Sequence, residues 1–223
     1  MSWQAFVLTA KLASVTALVL FAVGLPLAFW VAFSPRRWKF AVEAMIGMPT
    51  VLPPTVLGFY LLVAFGSSTS LGRWYQHVTG GTLAFTFGGL VVASVIYSLP
   101  FAVQPMVAGI RSVDQKLIDA ARTLGVRKLK IYREIVVPLA WPGLLTGVVL
   151  SFAHTVGEFG VVLMVGGNIP GVTRTLSIDI YDQVQSLNYS SANQTALVLL
   201  LFSYVLLCLV YGLNRRSFIW TSR

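Results

Sequence analysis

Five long runs of mostly apolar residues decide the class of this protein. Each is close to or above the ~20 helical residues that cross a hydrocarbon layer about 30 Å thick. They lack the apolar and polar alternation of barrel strands, whereas a helix satisfies its own backbone groups in lipid. The sequence therefore predicts an all-α, polytopic membrane protein of about five transmembrane helices. The predicted spans are residues 8–33, 43–66, 85–110, 136–165 and 195–213.

The distribution of basic residues predicts the orientation. The net charge is +9, but Lys and Arg lie in short segments between apolar runs, which is typical of membrane topology rather than of nucleic-acid binding. Thirteen of the 16 basic residues follow the first, third and fifth predicted spans. Because cytoplasmic loops retain Lys and Arg, we expect the N-terminus outside and a cytoplasmic tail at residues 214–223.

Few side chains are available for catalysis or metal binding. Cys208 is the single cysteine and lies in an apolar run, and the two histidines are far apart in the sequence. These residues provide no obvious metal site and no catalytic constellation for a membrane-embedded enzyme. The sequence also has no GxxxxGK[ST] phosphate loop, so ATP hydrolysis by this chain is not expected.

The basic segment 112–134 has the pattern of a short amphipathic helical pair. Ser112 and Gln115 have capping-box spacing, which predicts that a helix begins at Ser112. Gly125 predicts a left-handed helix end, and a second helical stretch is expected from Arg127 to Glu134. The segment is expected to lie on the cytoplasmic surface, either as a docking element or as an anchor to anionic lipid. Helical spacing predicts one apolar face, formed by Leu117, Ile118, Ala121 and Leu124.

This segment resembles the EAA loop of the permease subunits of ABC importers. The match consists of Asp119-Ala120-Ala121, Gly125, Ile135 and Pro138, with Asp119 in place of the usual Glu. The resemblance implies a type I importer permease fold in a bacterial cytoplasmic (inner) membrane. It also implies a coupling helix that docks on a separate ATPase subunit, which would bind ATP and Mg. The implied coupling residues are Asp119, Ala120, Ala121, Leu124, Gly125 and Val126.

Two further regions resemble the molybdate permease branch of that family. They are Pro49 to Gly58, and Gly157 to Gly160 followed by Gly167 to Thr175. The resemblance implies molybdate or tungstate as substrate, a homodimer, and an oxyanion-binding protein outside the membrane. Sulfate permeases are close relatives, so sulfate or another oxyanion remains an alternative. Within the outer loop, Asn168 and Arg174 are the candidate contacts for the binding protein.

Polar and proline residues inside the predicted spans are candidates for a gate or pathway. Prolines at 49, 53 and 54 remove backbone donors and should kink the second span, although proline is also common in membrane helices. His154 and Glu158 lie one helical turn apart and are expected to be within hydrogen-bonding reach of each other. Hydroxyl groups could provide weak contacts to an anion. The candidates are Pro53, Pro54, Thr55, Ser98, Thr155 and Glu158, with Thr50, Ser94 and Ser151 as further hydroxyl groups.

A stand-alone secondary transporter is the remaining alternative. Such a protein would need no cytoplasmic docking segment, and the sequence has no evident inverted repeat. A dependence of transport on ATP and a soluble ATPase would distinguish the two classes.

Overall fold

The computed structural model describes the backbone of residues 2–220. The surroundings of individual residues are described up to Cys208 and at Gly212. All the regular secondary structure in residues 2–220 is helical. The helices are α1 (Trp3–Phe33), α2 (Lys39–Val51), α3 (Pro54–Phe65), α4 (Ser70–Thr79), α5 (Phe87–Arg111), α6 (Gln115–Thr123), α7 (Lys128–Ile131), α8 (Val137–Gly157), α9 (Gly160–Gly166), α10 (Leu176–Gln185) and α11 (Tyr189–Trp220). A π-helical turn, Tyr132–Val136, joins α7 to α8.

Four stretches are long and apolar enough to cross a membrane: Trp3–Phe33, Phe87–Arg111, Lys128–Gly157 and Tyr189–Cys208. The bent pair α2 and α3 supplies a fifth when counted as one span. This confirms the prediction of an all-α chain with about five spans. The last helix begins at Tyr189, six residues before the predicted span, and its backbone continues through residues 214–220 of the predicted tail. Residues 221–223 of that tail lie outside the described residues.

The core lies where α1, α5 and α8 pack together. Its buried side chains include Leu20, Met106 and Leu144. Helices α5 and α8 approach closely because glycines face each other: a Cβ added to Gly143 would lie 2.6 Å from the Cα of Gly109. Gly147, one turn further along α8, faces the carbonyl oxygen of Ala102. Small residues at this four-residue spacing are the usual means of close helix packing in membranes.

The second predicted span is broken by its prolines. Helices α2 and α3 are bent by 110° at residues 52 and 53. Leu52 and Pro53 each precede a proline and adopt extended backbone angles, with ψ of 137° and 134°. A following proline disfavours the helical conformation, and Pro54 is well placed as the first residue of α3. The predicted kink is therefore a full break between two half-length helices.

The fourth apolar run is also broken, which its sequence does not predict. Helix α8 ends at Gly157, Glu158 is extended with ψ of 133°, and α9 begins at Gly160. The short α9 packs against α3, where a Cβ on Gly58 would lie 2.8 Å from the Cβ of Met164. The expected continuous helix over 136–165 is therefore replaced by two helices, because the second part packs on the other broken span.

Candidate functional site

The segment between α5 and α8 forms a turn with a defined start. Helix α6 begins at Gln115, and its N-cap is Asp114, whose side chain accepts a hydrogen bond from the Lys116 N–H at 2.9 Å. The prediction of Ser112 as N-cap is wrong. Ser112 still belongs to the end of α5, since its N–H bonds to the Ala108 carbonyl and its Oγ donates to Gly109 O at 2.8 Å.

The buried face of α6 is narrower than the sequence pattern predicted. Ile118 is 1% exposed and Ala121 is 7% exposed, and both pack into the main core with Ile131 and Val136. Leu117 and Leu124 are exposed instead, so only part of the predicted apolar face is buried. The side chain of Leu117 is rotated by about 100° around the helix axis from that of the buried Ile118. Leu124 lies at the C-cap, beyond the last helical residue.

Gly125 ends α6 in the left-handed conformation, with φ of 73°, as predicted. The Val126 N–H bonds to Ala121 O at 3.1 Å, and the Gly125 N–H bonds to Arg122 O at 2.9 Å. These two bonds form a Schellman motif, which satisfies the last carbonyl groups of the helix. Val126 packs against the same core as Ala121, so the turn has a fixed shape relative to the spans.

The outer surface of this turn combines apolar and charged side chains. Leu124 is 82% exposed and Leu129 is 79% exposed. Asp119 and Ala120 are also exposed, and the Asp119 carboxylate accepts from Gln115 Nε2 and Arg122 Nη1, each at 3.0 Å. Sequence reasoning missed Leu129, although a single leucine between Lys128 and Lys130 was a detectable signal. We call Leu117, Ala120, Leu124 and Leu129, together with Asp119, the α6 surface.

The α6 surface is joined to the spans through α7 and the π-helical turn. Tyr132 begins that turn, and its ring centroid lies 5.1 Å from those of both Phe29 and Phe33 on α1. The chain continues from Val136 into α8 without a break. The α6 surface is therefore connected to two of the three core helices, to α1 by ring packing and to α8 by the chain itself.

Three of the predicted pathway residues meet near the end of α8. The Ser98 Oγ on α5 lies 2.9 Å from His154 Nδ1 and 3.0 Å from Thr155 Oγ1 on α8. Thr155 in turn donates to the Ser151 carbonyl at 2.9 Å. The Glu158 N–H bonds to the Thr155 carbonyl, which places Glu158 next to this cluster. We call Ser98, His154, Thr155 and Glu158 the α5–α8 cluster.

The predicted hydrogen bond between His154 and Glu158 is wrong. His154 bonds to Ser98 and stacks on Phe101, with ring centroids 3.9 Å apart. The helix ends between the two residues, so Glu158 no longer follows the helical rotation that the prediction assumed. Glu158 is 3% exposed, and its carboxylate lies beside the buried Ser94 hydroxyl of α5 rather than beside His154, although the geometry falls short of a full hydrogen bond.

The break in the second span lies beside the break in the fourth. A Cβ on Gly160 would lie 2.8 Å from the Pro54 Cβ and 3.6 Å from the Thr55 backbone nitrogen. Pro53, Pro54 and Thr55 are all exposed in the single chain. Thr50 is part of α2, where its hydroxyl donates to the Gly47 carbonyl at 2.7 Å.

The loop after α9, which the sequence predicts to lie outside the membrane, is held by a polar network. Arg174 donates from Nε to Asn168 Oδ1 at 2.6 Å, and its Nη1 lies 3.4 Å from Asp182 Oδ2 on α10. Asn168 donates to the other Asp182 oxygen at 2.9 Å. Both predicted contact residues are thus engaged within the chain, and Asp182 is a partner that sequence reasoning did not identify. Among the side chains that the structure describes, no group of three His, Cys, Asp or Glu residues has an arrangement that could hold a metal ion.

Comparisons with known proteins agree with this architecture. A molybdenum transport system permease protein, ModB, from Azotobacter vinelandii is 48% identical over 208 residues, covering 93% of this chain and 92% of the relative. A putative molybdenum transport system permease protein, YvgM, from Bacillus subtilis (strain 168) is 36% identical over 201 residues, covering 90% and 88%.

The fold is found in solved transporters. A chain of a bacterial ABC transporter involved in the import of the acidic polysaccharide alginate superposes with a TM-score of 0.77, covering 97% of this chain and 80% of that one. At 17% identity this likeness concerns the fold alone, and it confirms the expected permease fold of a type I ABC importer. The family of binding-protein-dependent transport system inner membrane components matches residues 24–218. With this match and its apolar helices, the chain is a multi-pass inner-membrane protein that belongs to the family of binding-protein-dependent transport system inner membrane components.

Proposed function

We propose that this chain is the permease subunit of an ATP-driven importer that moves molybdate into the bacterial cytoplasm. The observation that carries the proposal is the 48% identity to the Azotobacter vinelandii molybdenum permease over nearly the whole length of both chains. Tungstate, an oxyanion of the same charge, is expected to share the path. The distribution of basic residues supports an orientation with the N-terminus outside and the α6 surface in the cytoplasm.

The α6 surface is the proposed docking site for the ATPase subunit, which binds ATP and Mg. Leu124 and Leu129 are among the most exposed apolar side chains of the described residues, and exposed apolar groups with a polar surround are typical of protein interfaces. The Schellman turn at Gly125 keeps this surface in one shape, and Tyr132 links it to α1. ATP-dependent approach of two such surfaces would move the core helices of two permease copies.

The proposed path for the anion lies between two copies of this chain. The exposed residues Pro53, Pro54 and Thr55 at the broken span support this placement, since a homodimer interface would cover them. The α5–α8 cluster lies beside the second break and supplies hydroxyl groups rather than cations. Weak contacts of this kind allow release as well as entry of an anion. Glu158 is expected to position the helix break, since a carboxylate is a poor ligand for an oxyanion.

An external oxyanion-binding protein is the proposed source of substrate selection. The loop from Gly166 to Thr175 is its expected docking region on the outer side. The network of Arg174, Asn168 and Asp182 supports this, because it holds the loop in one shape before the partner arrives. A preorganised loop avoids the entropy cost of ordering on binding.

The proposal is tested by reconstituting the chain with its ATPase and binding protein in proteoliposomes and measuring uptake of labelled molybdate. Uptake should require ATP and the ATPase, and tungstate should compete more strongly than sulfate. Uptake driven by an ion gradient with this chain alone would instead identify a secondary transporter. Stronger competition by sulfate would identify a sulfate permease.

A charge reversal at Asp119 tests the docking assignment. Asp119→Lys removes the acceptor of two hydrogen bonds on α6 and should lower uptake per ATP hydrolysed by roughly fivefold or more, the lower end of typical coupling energies. Glu43→Lys is the matched control, because it makes the same charge change at an ion-paired residue of α2, outside the α6 surface and the π-helical turn. Normal coupling in the Asp119 variant would contradict the assignment.

A further inference from the structure

A cavity of about 300 Å³ opens where α1 ends and the chain returns from α7 toward α8. Its wall is largely aromatic, formed by Phe29, Trp30, Phe33 and Tyr132. Two cationic side chains, Arg36 and Lys128, complete this wall from opposite segments of the sequence. The cavity therefore combines an apolar interior with two positive charges, at the end of a membrane-spanning helix.

Packing around the cavity fixes both its aromatic and its charged parts. The Tyr132 ring lies 5.1 Å from Phe29 and from Phe33, and the Lys128 Nζ lies 5.5 Å from the centroid of Tyr132. The Arg36 guanidinium is 5.6 Å from the ring of Trp38. Tyr132 also begins the π-helical turn, a local geometry that is frequent at functional sites.

The charges of the cavity are not neutralised within the described part of the chain. No Asp or Glu lines the cavity, and no carboxylate there lies within ion-pair distance of Arg36 or Lys128. Two unpaired cations close to an aromatic surface attract an anionic group that carries an apolar body. Basic pockets between membrane helices at the cytoplasmic side are typical sites for lipid headgroups.

We propose that this cavity binds an anionic phospholipid, with its phosphate held by Arg36 and Lys128 and its acyl chains along Phe29 and Phe33. Continuity with the membrane-spanning part of α1 favours a lipid over a soluble phosphate, since the aromatic wall would otherwise face water. In the proposed orientation the lipid belongs to the inner leaflet. It bridges the end of α1 and the segment that carries Lys128 and Tyr132, two parts of the chain that are far apart in sequence.

Native mass spectrometry of the full chain, purified in a mild non-ionic detergent, tests this proposal. The chain is titrated with phosphatidylglycerol, with phosphatidylcholine, and with the soluble headgroup glycerol 3-phosphate. One phosphatidylglycerol should bind in clear preference to phosphatidylcholine, and glycerol 3-phosphate should not displace it. Arg36→Gln combined with Lys128→Gln should weaken phosphatidylglycerol binding about 25-fold, because each basic residue near an anionic lipid contributes a factor of about 5.

The matched control is Arg37→Gln combined with Arg127→Gln. This control removes the same number of charges. Arg37 is next to Arg36 in the sequence and Arg127 is next to Lys128, but neither Arg37 nor Arg127 lines the cavity. An equal loss of binding in this control would overturn the site and leave only general attraction to basic segments. Equal binding of the two phospholipids, or displacement by glycerol 3-phosphate, would overturn the lipid assignment. Unchanged elution volume of both variants shows that each remains folded.

Discussion

The turn at Gly125 isolates the effect of one backbone angle, because no described residue other than its two chain neighbours lies within 4 Å of an added Cβ there. Gly125→Ala should therefore act only through the left-handed φ of 73°, at a cost of about 1–2 kcal/mol. Gly125→Asn should cost less, since Asn tolerates this conformation. Thermal stability of the purified chain should fall in the order Gly, Asn, Ala. Equal stability of all three would show that the turn is not left-handed in the protein in solution.

Single residues were predictable from sequence only where one local rule determined them. Gly125 follows from helix termination and was placed correctly. Ser112 was misplaced because its capping pattern competes with α5, which extends to Arg111. The partners of Arg174 and His154, namely Asp182 and Ser98, are set by tertiary contacts across 8 and 56 residues, which local patterns do not contain.

At the scale of elements, the contact of α5 with α8 depends on facing glycines. Gly143→Ala would place a Cβ 2.6 Å from backbone of Gly109, which cannot move aside as a flexible side chain could. The helices must separate, so we expect destabilisation of about 1–3 kcal/mol, as for other overpacked cores.

Gly212→Ala is the matched control for Gly143→Ala. It is also a helical glycine, but no described residue outside its own helical turn lies within 4 Å of its added Cβ. This control should be neutral or slightly stabilising, because alanine favours helix. The two variants are compared by the fraction of each protein that remains monodisperse after heating. Similar behaviour of the two would contradict close packing of α5 on α8.

The sequence predicted the element boundaries that prolines define, but it did not predict those that depend on packing. The double proline at 53 and 54 predicts a disruption, and the helices are bent by 110° there. The break at Glu158 has no such signal. It depends on α9 packing against α3, where Gly160 lies against Pro54 and Gly58 against Met164. Hydropathy reports which residues enter the membrane but not whether a span is one helix or two.

At the scale of the whole molecule, the α6 surface is joined to the helices around the proposed path. Ile118 and Ala121 anchor α6 in the same core that holds Met106 of α5 and Leu144 of α8. Leu124 and Leu129 lie on the outer side of the turn and make no contribution to that core. Changing these two leucines should therefore affect partner binding without affecting folding.

Leu124→Ser combined with Leu129→Ser should weaken association with the ATPase by tenfold or more. Full burial of a leucine contributes about 1.5–3 kcal/mol, and 1.4 kcal/mol already corresponds to a factor of ten. Leu71→Ser is the control, since Leu71 is an exposed leucine on α4, far in sequence from the α6 surface. Affinity measured with the purified ATPase, together with the heating assay, separates docking from stability. Undiminished affinity in the double variant would place the ATPase contact elsewhere on the chain, and reduced stability would show that these leucines belong to the core.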